Sequence, residues 1–178
     1  MTAAQRAHQG RVVLSLYLDP CNPQVRLQDA PGVAHLPISN VSRKPFRLLH
    51  AKVSLLGFRH LDQPERWLSR LVVSTGNWTR QTLEESLDLA WSIEISSEDV
   101  SRAKGIGQCC ADIQAAWRLF QWLDTLFDTR LLEAGHDSGA SSTRNRVKSW
   151  INVCEGHAHG TTRLFDNRQR SLFDEVKL

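Results

Sequence analysis

No apolar run in this chain approaches the roughly 18 residues that a membrane-crossing helix needs. The longest candidate near the start, Val12 to Leu18, runs into Asp19-Pro20 and lacks the small-residue cleavage site of a secretory signal. The four cysteines (Cys21, Cys109, Cys110 and Cys154) form no CxxC and no framework spacing. Free thiols in a reducing cytoplasm are therefore expected, not a disulfide scaffold. Charge of one sign is scarce as well. Lys and Arg total 22 against 19 Asp and Glu, a net +3, which excludes a histone-like binder and leaves nucleic-acid contact to local placement of charge. Internal repeats and low-complexity tracts are missing. What remains is an ordinary globular composition, 41% apolar and 23% charged over 178 residues, enough for one domain or one and a fragment.

Strand signals gather in the first half. Val12 to Asp19 reads as a buried strand closed by Asp-Pro. Residues 20–45 hold five of the six prolines (Pro20, Pro23, Pro31, Pro37 and Pro45), which predicts irregular chain. Arg47 to Leu56 alternates, with Leu49, Ala51, Val53 and Leu55 on one face and His50, Lys52 and Ser54 on the other. Leu71 to Val73 predicts a short second strand, followed by a turn at Ser74 to Thr79. Leu87 to Ile95 predicts a third, with Leu89, Trp91, Ile93 and Ile95 on one face and Asp88 on the polar one.

The second half is helical. Ser97-Glu98-Asp99 reads as a helix start and Gly105 as a stop. Cys109 to Ala134 carries one apolar stripe from Ile113 to Leu131, and Arg144 to Cys154 predicts another helix. The expected fold is an α/β domain, a mixed sheet flanked by helices. Residues 1–100 form its strand-rich region, 101–160 a helical extension, and 161–178 a polar tail or the start of a further half.

The chemistry concentrates at His50-Ala51-Lys52 and Ser74-Thr75-Gly76-Asn77. An imidazole and an ammonium two residues apart on one strand face can reach one anion, and a Gly-containing turn ending in Asn adds hydroxyl, amide and backbone donors for phosphate oxygens. A neutral imidazole nitrogen can attack phosphorus there and form a phosphohistidine. Lys52 and Asn77 would stabilise the equatorial oxygens, and Asp88 would orient His50 through its far nitrogen. Thr75 and the neighbouring Trp78 are the expected substrate contacts. The scheme calls on no metal and no cofactor.

These residues resemble the phospholipase D superfamily, whose pattern is HxKxxxxD followed by GSxN. The resemblance spans residues 45–95. Thr75 stands for the family's Ser and Asn77 for its Asn, while Asp88 falls where the family often has Glu, or Gln in the tyrosyl-DNA phosphodiesterase branch. Gly57 replaces the motif Asp and Ser74 the motif Gly. The first departure is shared with the tyrosyl-DNA phosphodiesterase branch, as is an aromatic at Trp91. The resemblance implies the phospholipase D-like half fold and a metal-independent phosphodiesterase acting on nucleic-acid ends in preference to lipid. It also implies a second HxK, since the family uses one His as nucleophile and another as general acid. This chain has one, so a homodimer or a second phospholipase D-like half is the expected partner. The alternative is a non-catalytic phosphate or nucleic-acid binding module.

Other clusters carry plainer readings. Cys154, His157 and His159 suggest a metal cluster lacking its fourth ligand, and a loop histidine pair is the better expectation. Trp117, Phe120 and Phe127 read as core. Arg144, Arg146 and Lys148 with Trp150, and Arg163, Arg168 and Arg170, are candidate phosphate contacts or a solvated face.

Overall fold

A computed structural model describes residues 14–21, 26, 29–30, 32–77, 79, 84–102, 104–133 and 143–176. The chain divides into two compact units, residues 1–51 with 119–149, and residues 52–118 with 150–178. Its content is mixed α/β, with strands early and helices late, but the strands form two separate sheets.

In the first unit β1 (Leu14–Tyr17) pairs in parallel with β2 (Val33–Leu36), Leu14 opposite Val33 and Tyr17 opposite Leu36. The prolines of the 20–45 stretch thus bracket a strand that they conceal from local reading. Ala34 and Leu36 are fully buried. A 3-10 turn at Val41–Arg43 is capped by the Asn40 side chain, which accepts from the Ser42 N–H. Tyr17 donates its hydroxyl to Asp124 at 2.6 Å and meets Phe127 edge-on at 5.4 Å. Burial and the Asp124 carboxylate both raise the Tyr17 pKa. The buried Leu123 and Phe127 continue the apolar stripe that the sequence shows.

The second unit holds the antiparallel sheet β3–β4–β5, formed by Val53–Arg59, Trp67–Ser74 and Ala90–Ser96. Its register puts Leu55 opposite Leu71 and Leu71 opposite Ile93, so the apolar alternate residues of all three strands share one face. Leu71 and Ile95 are buried on it. On the other face Arg70 donates to Glu94 at 2.6 Å and lies over the Phe58 ring.

Helix α1 (Ser97–Arg102) follows β5 directly. Ser96 and Asp99 cap it reciprocally: the Asp99 N–H donates to Ser96 Oγ, and the Ser96 N–H to the Asp99 carboxylate. Gly105 then takes φ 73°, the left-handed conformation that lets the chain turn into α2 (Gly107–Asp124). α2 ends ten residues short of the expected Ala134. Among the described residues the short α3 (Arg130–Glu133) follows, then α4 (Thr143–Glu155) and α5 (Leu172–Val176). Residues 107–118 of α2 and 150–155 of α4 belong to the second unit. There the Gln114 side chain donates to the Ile151 carbonyl at 2.6 Å, and Trp150 stacks on Trp67 with ring planes 8° apart.

Asp19, Asp99 and Asp166 are all held below the usual carboxylate range. The causes are the Leu49 N–H at Asp19, the Ser96 hydroxyl at Asp99 and the Arg168 guanidinium at Asp166. A depressed folded pKa adds stability that is present above the unfolded value of about 3.9 and is lost as pH falls through the folded value. The melting temperature should therefore fall as pH drops below about 4. Asp19→Asn should flatten that fall in circular-dichroism melts, and an unchanged acid limb would refute the assignment.

Candidate phosphate-binding end of the antiparallel sheet

Three chain segments converge where β3 begins, β4 ends and β5 begins. The Ser74 N–H donates to the Lys52 carbonyl at 3.0 Å, extending the β3–β4 ladder by one rung beyond Val53. Lys52 therefore lies directly opposite the first residue of the Ser74–Asn77 turn. Ser74 Oγ donates to the Gly76 carbonyl at 3.0 Å, tightening the turn, and Gly76 is buried beneath it.

Thr75 ties the turn to the segment before β5. Its N–H donates to the Leu89 carbonyl at 3.0 Å, and its hydroxyl oxygen accepts from the Leu89 N–H at 3.0 Å. The same hydroxyl donates to Asp88 Oδ1 at 2.9 Å, so its proton and an acceptor site are both engaged. Lys52, the turn and Asp88 thus share one end of the sheet. Asn77 is exposed there, and its carbonyl accepts from the Thr79 N–H.

The chain matches no protein-family model, no curated protein and no solved structure.

The remaining expected site residues fall elsewhere or outside the description. His50 is exposed and lies next to Ala51, the last residue of the first unit's N-terminal segment, while Lys52 opens the second unit. Neither residue is in a strand, since β3 starts at Val53. Asp88 precedes β5 instead of lying on it, and its hydrogen-bond partner here is Thr75. Trp78 lies outside the described residues.

Several candidate phosphate contacts are occupied by carboxylates. Arg144 pairs with Asp124, Arg163 with Asp112, and Arg168 with Asp166. Trp150 is buried against Trp67 and presents no free ring to a base. Cys154 is buried, and burial beside Cys110 pushes its thiol up to about 12. His159 is turned to the His157 carbonyl at 2.8 Å and packs on Gly107. Among the described residues no three His, Cys, Asp or Glu side chains gather as a metal ion requires. No helix among them is long and apolar enough to cross a membrane.

The sequence does not single out the Thr75–Asp88–Leu89 knot, although a hydroxyl residue in the turn and a carboxylate before β5 were its visible parts. Thr75→Val keeps the shape and removes the hydroxyl. We expect the Leu89 amide to exchange with solvent about tenfold faster, the scale of one hydrogen bond worth about 1 kcal/mol, with Thr75→Ser restoring it. Unaltered exchange in Thr75→Val would show that the hydroxyl fixes nothing.

Proposed function

We propose that this protein is a metal-independent phosphodiesterase, acting on nucleic-acid ends through a phosphohistidine at His50. The observation that carries the reading is the rung joining Lys52 to Ser74, together with the Thr75 hydroxyl bond to Asp88. These set the ammonium-bearing residue of HxK beside the turn that ends in the exposed Asn77.

The neutral imidazole attacks phosphorus, a P–N bond forms, and the P–O bond to the leaving alcohol breaks. That alcohol takes a proton from a general acid supplied by a second copy of the chain or a second half. Water then cleaves the P–N bond, so diester and water become monoester and alcohol. Lys52 and Asn77 hold the phosphoryl oxygens as charge builds on them, and Trp78 is assigned to the substrate. Asp88 orients His50 in this scheme, and its bond to Thr75 supports a second duty, holding the donor turn in place.

Incubation with bis(p-nitrophenyl) phosphate in EDTA should release nitrophenol. Rapid quenching at alkaline pH, followed by peptide mass spectrometry, should find the phosphoryl group on the peptide containing His50. Salt-dependent binding of a phosphorylated oligonucleotide with no turnover would overturn the reading in favour of a binding module.

A further inference from the structure

Asp19 follows β1 and is only 2% exposed. Burying a carboxylate is costly unless it is hydrogen-bonded, and this one is. Its Oδ1 accepts from the Cys21 N–H at 3.1 Å, closing a turn over Pro20. Its Oδ2 accepts from the Leu49 N–H at 2.9 Å, a bond between residues 30 positions apart. The Lys44 ammonium lies 3.9 Å from the same oxygen and donates to the Arg47 carbonyl at 2.9 Å. Segment 44–52 lies in no helix or strand. Lys44, Arg47 and Leu49 are thus all tied, directly or through one intermediate, to a single buried group immediately ahead of His50.

We propose that Asp19 is the positioning residue of His50: by fixing the Leu49 N–H, it sets the direction in which the next residue's imidazole leaves the chain. The inference rests on the reading of His50 as nucleophile and adds a residue to it. The backbone amides that favour the charged form keep Asp19 ionised at neutral pH, with both oxygens available as acceptors. Two residues after His50 the Lys52 carbonyl accepts from the Ser74 N–H at 3.0 Å, and the Leu49 bond, one residue before it, is the nearer of these two anchors. A shift of about 1 Å in a reacting group can cost about 100-fold in rate.

Asp19→Asn replaces one acceptor oxygen with a donor and removes the charge. It should lower kcat on bis(p-nitrophenyl) phosphate about 100-fold. KM should stay within about twofold, because Asp19 is bonded to Cys21, Leu49 and Lys44, whereas the phosphoryl oxygens are assigned to Lys52 and Asn77. The Leu49 amide should lose its protection from hydrogen exchange. Asp124→Asn weakens the Tyr17 bond in the same unit and serves as the control for general loosening. It should leave kcat near that of the unaltered protein.

If Asp19→Asn fails to fold, a backbone ester at Leu49 deletes only the donor N–H and should give the same loss of kcat. Unchanged kcat with either substitution, an equal kcat loss in Asp124→Asn, or undiminished Leu49 protection in Asp19→Asn would overturn the inference. His50→Ala run in parallel separates the two claims. Turnover that survives His50→Ala removes the nucleophile reading, whereas its loss there with normal kcat in Asp19→Asn removes only the positioning role.

Discussion

His50→Ala is expected to abolish cleavage of bis(p-nitrophenyl) phosphate in EDTA, a loss of about 10⁴-fold or more. Removing the nucleophile of a unit whose parts act together leaves only what positioning and electrostatics give to direct attack by water. The loss should fall on kcat. Lys52, the Ser74–Asn77 turn and Asp88 are joined through the sheet end by the Lys52–Ser74 rung and the Thr75–Asp88 bond. Binding of a phosphorylated oligonucleotide, measured at fixed salt, should therefore remain within a few-fold of the unaltered protein. The variant should also keep its melting temperature, since His50 is exposed and surface substitutions away from caps and cores cost about 0.5 kcal/mol or less. Two results would sink the assignment. Retained turnover would mean another group attacks, and loss of binding in step with turnover would mean His50 serves as a cation only.

The parity of the strands was legible, and their ends were not. Val53, Leu55, Trp91, Ile93 and Ile95 alternate in the sequence, and the register places them on one face with Leu71. His50 and Lys52 also fit the alternation, yet β3 begins after them. The reason lies in the partner: β4 turns away at Ser74, opposite Lys52, so no ladder is left for the residues before it. The Leu49 amide goes to Asp19 instead. Leu89 shows the same effect, apolar by parity but 75% exposed because it lies beyond the first rung of β5. The second strand, Val33–Leu36, escaped notice because it is short, sits between Pro31 and Pro37, and depends on a parallel partner far away in sequence. Asp19 and Asp112 were visible as residues but not as anchors. A carboxylate amid Cys110, Ile113 and Ala116 signals that a donor must exist, while periodicity cannot say that the donor is Arg163.

Asp112→Ala is expected to cost about 3 kcal/mol of stability, the low end of what breaking a buried ion pair does. Asp112 is fully buried on α2 and accepts four hydrogen bonds of 3.1 Å or less. Three come from Arg163: the N–H at 2.6 Å, Nε at 2.9 Å and Nη2 at 2.6 Å. The fourth is from the Thr162 hydroxyl. Because the Arg163 side chain is 49% exposed, water can solvate part of the orphaned guanidinium, which is why the low end applies. The backbone N–H and the Thr162 hydroxyl lose their acceptor as well. Arg163→Ala should cost at least as much, since it strands the carboxylate, the wholly buried partner. Arg163→Lys should recover little, because an ammonium cannot reproduce the two-point contact or the stacking on Trp91, whose ring centre lies 5.3 Å from the guanidinium. The bond binds the 162–164 segment to α2, so its loss should also free Leu164, which is buried, and the Gln108 contact with the Thr161 carbonyl. Urea unfolding should show a lower midpoint with an unchanged slope, and the Asp112→Ala, Arg163→Ala double variant should lose much less than the sum of the two singles. Additive losses would mean that the two side chains stabilise the unit independently, and a midpoint unmoved by Asp112→Ala would mean that α2 holds the 162–164 segment by apolar packing alone.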